Sequence, residues 1–181
     1  MTPQEERYFD SFREVVKAVN STLDRQEVLD LLVNNLTQVM DLKASAIRLL
    51  DPRQRTLELV ASHGLSKKYL DKGPVDADKS IADAMEGKTI SIYNVFEDPR
   101  AQYPEEAREE GIGSIISVPL RIRGRVIGVM RLYTLEPREF SEEEIKFAEV
   151  LAETGAIAIE NAKMYERIKD DYEAIMRDLY R

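Results

Sequence analysis

The chain has 181 residues, enough for one well-packed domain, and 43% of them are hydrophobic and 33% charged. Its formal net charge of −8 disfavours a nucleic-acid partner, since proteins that neutralise phosphates usually present a basic face. The absence of cysteine excludes disulfides, thiolate metal sites and thioether-linked cofactors. No run approaches the roughly 20 apolar residues of a membrane span, and the acidic N-terminus does not resemble a signal peptide. We therefore expect a cytoplasmic protein.

The first part of the chain is predicted to form two helices. Apolar residues recur at steps of three and four over residues 9–23, which traces one stripe along a helix. Asp24 and Glu27 then resemble a capping box that opens a second helix. A wide apolar face over residues 28–40 predicts that this second helix is buried on one side.

Short apolar runs typical of strands follow. Residues 44–50 and 56–61 flank turn-forming residues at 51–55 and predict a first β-hairpin. The next predicted elements are a short helix at 80–85 ended by Gly87, a strand at 89–93, a loop at 94–103, a short helix from Pro104 to Glu110, and a second hairpin at 113–120 and 125–134. Ser141 and Glu144 form another capping box, which opens a long helix towards the C-terminus.

This order of elements predicts an α+β fold, an α/β sandwich. We expect a central antiparallel β-sheet with the long N- and C-terminal helices on one face. The short helices and loops are then left to cover the other face.

The second hairpin carries the most recognisable motif. Its residues Ser117-Val118-Pro119-Leu120, then Gly124, Val126-Ile127-Gly128-Val129 and Leu132, resemble the S-V-P-L…G…V-I-G-V…L signature of GAF domains. Segments at 44–51, 58–66, 80–100 and 140–168 agree with the family in the same order, so the resemblance covers roughly residues 20–170. It implies a GAF domain at 23–168, an N-terminal helix at 1–22 for dimerisation or linking, and a coiled-coil or signalling extension at 169–181.

The resemblance implies a sensory or regulatory module of bacterial signalling proteins rather than an enzyme. GAF domains typically hold a small molecule between the sheet and the short-helix face. They often dimerise through their terminal helices and pass the signal to a histidine kinase, a cyclase or a transcription-activator domain. The lack of cysteine excludes a covalent bilin and cysteine-based methionine sulfoxide reduction.

Two other activities of the family stay open as alternatives. Cyclic-nucleotide binding is the less favoured one, because nothing here matches the Asn-Lys-X-Phe-Asp-Glu set of many cyclic-nucleotide-binding members. A ligand-free dimerisation module with the same fold is the main alternative. The identity of any cofactor is left open.

Two arginines interrupt apolar strands, Arg48 in the first hairpin and Arg131 in the second. Strand alternation places Ile127, Val129, Arg131 and Tyr133 on one face, and Val126, Gly128, Met130 and Leu132 on the other. The second set is predicted to pack on the terminal helices, with Gly128 admitting the close approach of a helix backbone. Arg131 then points to the pocket side of the sheet.

In GAF domains the first and last of these main strands lie side by side. The resemblance therefore suggests that Arg48 and Arg131 together form a positive floor suited to a carboxylate or phosphate. The alternative is that each arginine pairs with a carboxylate of its own chain or extends from the sheet edge to solvent.

The other candidate ligand-binding residues are Ser117 and Tyr133 from the second hairpin, and Tyr93, Asp98, Arg100 and Tyr103 from the loop region that GAF domains place over the pocket. Loops between rigid elements often carry function, although a solvated connection explains this loop equally well. The single histidine, His63, has no visible second ligand, so neither a metal site nor a haem is expected.

The C-terminal helix carries a second apolar stripe. Ile157, Asn161, Met164, Ile168, Tyr172, Ile175 and Leu179 follow steps of four and three, which resembles a short coiled coil with a stutter. Beyond about Glu166 the helix is expected to extend past the domain, so this stripe needs a partner. We expect a parallel homodimer through the terminal helices. The sequence leaves open whether the module stands alone or belongs to a larger signalling protein.

Overall fold

A computed structural model describes residues 2–22, 24–51, 53, 56–76 and 81–179. Helices α1 (Pro3–Ser21) and α2 (Arg25–Val39) precede the hairpin of strands β1 (Ala44–Asp51) and β2 (Thr56–His63). Shorter elements follow: α3 (Lys67–Leu70), β3 (Val75–Asp76), α4 (Ala82–Met85), β4 (Ile90–Ile92) and α5 (Pro104–Glu110). The last described elements are β5 (Ile115–Ile122), β6 (Arg125–Tyr133) and the 38-residue helix α6 (Glu142–Leu179).

Side-chain caps begin the long helices. The Asp24 carboxylate accepts hydrogen bonds from the backbone N–H groups of Gln26 and Glu27 and caps α2. Ser141 and Glu144 form the reciprocal capping box expected before α6. Parts of three predicted features lie outside the described residues. They are Leu23 in the first stripe, the turn positions 52, 54 and 55, and Ser80 at the start of a short helix.

In the described residues the strands form one six-stranded antiparallel sheet with the order β3-β2-β1-β6-β5-β4. The predicted α+β fold is confirmed, including the neighbouring positions of β1 and β6. The sequence reading omitted α3 and β3, because elements of four and two residues are too short to show a periodic pattern.

The sheet separates two apolar layers. On one face, α1, α2 and α6 bury a large cluster that includes Leu29, Leu32, Met130, Leu132 and Leu151. On the other face, α3, α4, α5 and their loops cover two smaller clusters, around Tyr133 and around Val129. The terminal helices therefore share the face that was predicted for them.

The predicted alternation along β6 is wrong at Ile127. The pairing of β5 with β6 shifts register between Leu120 and Arg121, which is the signature of a β-bulge. As a result Ile127 packs against the helix-face cluster instead of facing the opposite side. Beyond the bulge the alternation holds, and Arg131 faces away from the helices.

The predicted role of Gly128 is also wrong. A Cβ atom at Gly128 would lie 2.3 Å from the carbonyl oxygen of Arg48, so the close neighbour is the backbone of β1 and not a helix. A close contact with a helix occurs at Gly155 of α6, where a Cβ atom would lie 2.7 Å from a methyl group of Leu32.

The C-terminal part of α6 extends past the domain. From residue 163 onward almost every described side chain is exposed, including the large apolar residues Ile168, Tyr172 and Ile175. Within the described residues, no helix combines the length and the apolar character that crossing a bilayer requires.

Candidate functional site

Arg48 and Arg131 lie on the two central strands of the sheet, on the face away from α6. Arg131 pairs with Ala46 on one side and Ser117 on the other, while Arg48 pairs with Val129, so the two arginines are diagonal neighbours. Their relative exposures are only 3% and 4%. Arg131 thus faces away from the terminal helices, as strand alternation predicts, because its neighbours Met130 and Leu132 pack on the helix face.

The hydrogen-bonding capacity of these arginines is largely unused. Nη1 of Arg48 donates to the Leu57 carbonyl oxygen at 3.3 Å, but Nε and Nη2 of Arg48 are buried without an acceptor. Nε of Arg131 and the hydroxyl group of Tyr133 are likewise buried without a partner. Among the described residues, no carboxylate forms an ion pair with either arginine. Such donors normally find a partner when they are removed from water.

Aromatic rings lie beside the guanidinium group of Arg131. The fully buried Tyr133 ring meets the ring of Tyr69 edge to face, with centroids 6.1 Å apart. Cζ of Arg131 lies 5.7 Å from the centroid of the Tyr133 ring, within the range of a cation–π contact. Burial raises the pKa of the Tyr69 hydroxyl above its usual value, so this group stays protonated and available as a donor.

A small cavity lies in front of Arg131. Its lining comprises Tyr69, Lys72, Val95, Ala101, Gln102, Tyr103, Ala107, Ile115 and Arg131. The space open to the centre of a water-sized sphere is about 10 Å³, which is room for one water molecule. We call Arg48, Arg131, Lys72 and the tyrosines 69, 103 and 133 the arginine site.

Two side chains of the 94–103 loop cover the cavity and form hydrogen bonds with residues in and just before β3. The hydroxyl of Tyr103 donates to the Pro74 carbonyl oxygen at 2.8 Å. Gln102 donates to the same oxygen at 3.3 Å and accepts from the backbone N–H of Asp76 at 3.1 Å. Opening the cavity therefore requires these loop contacts to break.

The electrostatic environment of the site is positive. Burial lowers the pKa of Arg48. The neighbouring Tyr133 raises this pKa, and the positive charge of Arg131 lowers it further. Burial, with the charges of Arg48 and Arg131, lowers the pKa of Lys72 to about 7. The site therefore disfavours additional positive charge and favours an anion.

The structure brings together five of the eight predicted site residues. Tyr103 and Arg131 line the cavity, while Arg48, Ser117 and Tyr133 lie beside it on the same face of the sheet.

The other three predicted residues lie elsewhere. Tyr93 is 54% exposed, and Asp98 and Arg100 pair with each other at 2.5 Å on the outer surface. Arg100 also donates to the Ser91 carbonyl oxygen at 3.1 Å, which explains its position without a ligand.

Sequence reasoning missed seven of the nine lining residues, among them the polar residues Tyr69, Lys72 and Gln102. The first two belong to a segment that was assigned to no element. A signal was present, because Ser66 is an N-cap residue and Gly73 follows six residues after the helix start.

His63 is exposed at the end of β2, away from this cavity. Among the described residues, no group of three or more His, Asp or Glu side chains is arranged to hold a metal ion.

A sequence model described as "GAF domain" matches residues 22–160 of the chain. The methyl sulfide methyltransferase-associated sensor of Methanosarcina acetivorans is 28% identical over 163 residues, which is 86% of this chain and 16% of that protein. The formate hydrogenlyase transcriptional activator of Salmonella typhimurium is 25% identical over 169 residues, which is 88% of this chain and 24% of that protein. The chain thus spans less than a quarter of the length of these relatives.

Solved structures give the same result. The GAF domain from the Acinetobacter phosphoenolpyruvate-protein phosphotransferase superposes with a TM-score of 0.75 at 25% sequence identity. The match covers 91% of this chain and 97% of that domain.

Proposed function

The chain belongs to the GAF domain family, and on that premise we propose that it is a cytoplasmic sensory domain of a signalling protein that binds a small anionic ligand at the arginine site. The observation that carries this proposal is the set of buried, unpartnered N–H groups on Arg48 and Arg131. A buried guanidinium without an acceptor is destabilising, and a carboxylate or phosphate group is the partner that fits its planar donor array.

The ligand is proposed to be compact. The cavity has room for about one water molecule, so a carboxylate or phosphate of few atoms needs only a local opening of the 94–103 loop. A cyclic nucleotide would require the loop contacts of Gln102 and Tyr103 to break and much more of the cover to move. The size of the cavity therefore disfavours cyclic-nucleotide binding.

The proposed role is binding without catalysis. Arginine, tyrosine and glutamine side chains at the cavity offer hydrogen-bond donors to a ligand. Neither a carboxylate nor a histidine lines the described cavity as a general base. Two of the matched relatives carry names of regulators, a sensor and a transcriptional activator, which supports a signalling role.

The proposed route of the signal runs through β6. Met130 and Leu132, the neighbours of Arg131 in sequence, point to the opposite face and pack in the cluster with α2 and α6. A ligand that displaces the backbone at Arg131 therefore also displaces the packing surface of α6. We propose that α6 passes this change to an output domain such as a histidine kinase, a cyclase or a transcription activator.

The proposed assembly is a parallel homodimer through the terminal helices. Supporting evidence is the exposed apolar stripe on α6, where Ile168, Tyr172, Ile175 and Leu179 are between 59% and 72% exposed. An amphipathic helix of this kind gains stability by covering its apolar side with a second helix. Multi-angle light scattering that finds a monomer at micromolar concentration would contradict this assembly.

A second candidate function is a dimerisation module that binds no ligand. The small size of the cavity is the observation that favours it. A thermal-shift screen of acetate, phosphate and anionic metabolites separates the two candidates. Sensory binding predicts that at least one anion stabilises the wild type and has no effect on the Arg48→Met/Arg131→Met double variant. Equal responses of the two proteins to every anion would leave the dimerisation module as the better account.

A further inference from the structure

Lys72 is the third basic residue of the arginine site and has an unusual environment. Its Nζ atom lies 3.7 Å from the centroid of the Tyr69 ring and 5.5 Å from that of the Tyr103 ring. It donates one hydrogen bond, to the Tyr69 carbonyl oxygen at 3.1 Å. In the part of the chain that the structure describes, no carboxylate lies within ion-pair distance of Nζ. The amine lines the same cavity as Arg131.

Two other lysines nearby lack this environment. Nζ of Lys43 pairs with Glu110 at 3.2 Å, and Nζ of Lys68 pairs with Glu109 at 2.6 Å. A lysine held by a carboxylate stays protonated and is a poor nucleophile. Lys72 therefore differs from its neighbours both in its lack of a countercharge and in its access to an enclosed cavity.

The charged and titratable groups around Lys72 come from several elements. Arg48 on β1 and Arg131 on β6 oppose its positive charge, while Glu106 and Glu110 on α5 favour it more weakly. Burial, followed by the two arginines, lowers the pKa of Lys72 to about 7. At pH 8 a much larger share of this amine is therefore neutral than of an amine with the ordinary lysine pKa.

We propose that the Lys72 amine reacts reversibly with carbon dioxide, so that the arginine site binds a carbamate formed on the protein itself. This proposal rests on the proposed anion-binding function and names its ligand chemistry. The lone pair of Nζ attacks the carbon of carbon dioxide, and an N–C bond forms as one C=O electron pair moves onto oxygen. The nitrogen then releases one proton to solvent. The products are a lysine carbamate anion and a proton, and nothing is oxidised or reduced.

Charge favours this reaction at Lys72, and the carbamate, like other small anions at this site, requires a local opening of the 94–103 loop. A carbamate adds three heavy atoms to Nζ and replaces a cation with an anion beside two arginines. Nε of Arg131 and the hydroxyl of Tyr133 are buried donors without partners, and a carboxylate-like group satisfies donors of this kind.

The test uses the full chain equilibrated with ¹³C-labelled bicarbonate and carbon dioxide at pH 8. Carbon NMR detects a carbamate, and trapping with a trialkyloxonium salt followed by peptide mass spectrometry locates it. We expect the trapped adduct on the peptide that contains Lys72. Lys72→Arg should lose the adduct while keeping the positive charge. Lys88→Met, which changes an exposed lysine paired with Glu86, should keep it.

The peptide map of the wild type alone decides the proposal, so it does not depend on the folding of any variant. An unmodified Lys72 at saturating carbon dioxide would overturn it, as would equal modification of Lys72 and the exposed lysines. A parallel thermal-shift titration with acetate and phosphate separates this failure from failure of the proposed function. If those anions stabilise the wild type and not the arginine double variant, anion binding stands and only the carbamate is rejected.

Discussion

Replacing Arg131 with methionine distinguishes an arginine kept for a ligand from one kept for stability. Methionine retains most of the apolar length of the side chain and removes the guanidinium group. In a buffer that lacks small anions, we expect Arg131→Met to be more stable than the wild type. The reason is that the wild type buries Nε of the charged Arg131 guanidinium, for which the described residues provide no acceptor.

The size of the effect follows from two contacts. A buried donor such as Nε of Arg131, left without an acceptor, costs about 1–3 kcal/mol. The cation–π contact with Tyr133, at 5.7 Å from the ring centroid, offsets about 1 kcal/mol of that cost. The expected net gain in the free energy of unfolding is about 1 kcal/mol. In a domain of this size it raises Tm by about 2–4 °C.

Thermal unfolding followed by circular dichroism measures this gain, first without small anions and then with added acetate or phosphate. The added anion should raise the Tm of the wild type and leave that of Arg131→Met unchanged. Arg125→Met is the matched control, because Arg125 is exposed at the start of the same strand and should change neither result. A loss of about 2 kcal/mol or more in Arg131→Met without anions would refute the reasoning, since that is the cost of breaking a satisfied buried interaction.

Three further predictions address the lysine, the sheet and the assembly. Because the pKa of Lys72 is lowered to about 7, the unfolded chain binds more protons than the folded chain between pH 7 and about 10. The free energy of unfolding of the wild type should therefore rise with pH relative to that of Lys72→Met over this window. Urea unfolding that gives the same difference in stability between the two proteins at every pH would be inconsistent with a lowered pKa. Gly128→Ala should lower the free energy of unfolding by about 1–3 kcal/mol, because its Cβ atom would lie 2.3 Å from the Arg48 carbonyl oxygen. The control is Gly124→Ala, at a turn where a Cβ atom would meet nothing within 4 Å, so that variant shows the effect of backbone strain alone. Ile168→Asp/Ile175→Asp should be monomeric by light scattering while keeping the Tm response to anions, whereas an unchanged dimer would place the interface elsewhere.

The hydrophobic pattern was sufficient to predict most of the fold. Steps of three and four defined the terminal helices, capping residues located the starts of α2 and α6, and alternation oriented Arg131 correctly. The pattern was insufficient where a single residue changes the geometry. The bulge opposite Leu120 reverses Ile127, and no feature of a period-two sequence signals an extra residue in one strand.

The candidate site was predictable for its sheet half and for one loop residue, Tyr103. Arg48 and Arg131 are conspicuous because charges are rare in apolar strands. The remaining polar lining residues, Tyr69, Lys72 and Gln102, lie on short segments. The direction of these segments depends on tertiary contacts, such as the hydrogen bonds from Gln102 and Tyr103 to Pro74. Conversely, the position of Arg100 in the loop made it a plausible site residue. In the structure its side chain forms an ion pair with Asp98 on the outer surface and does not contact the cavity.

The most direct test of anion binding at the arginine site is mass spectrometry of the small molecules released from natively purified protein. The wild type and the Arg48→Met/Arg131→Met variant are purified in parallel and denatured; the buffers contain no added carboxylates or phosphates and are kept free of carbon dioxide, so that no Lys72 carbamate competes for the site. We predict that the wild type releases a small carboxylate or phosphate in an amount comparable to the protein and that the variant releases none. Equal amounts of anion released from both proteins would contradict the account. So would the release of no anion from the wild type, if the same preparation also fails to respond to any anion in the thermal-shift screen.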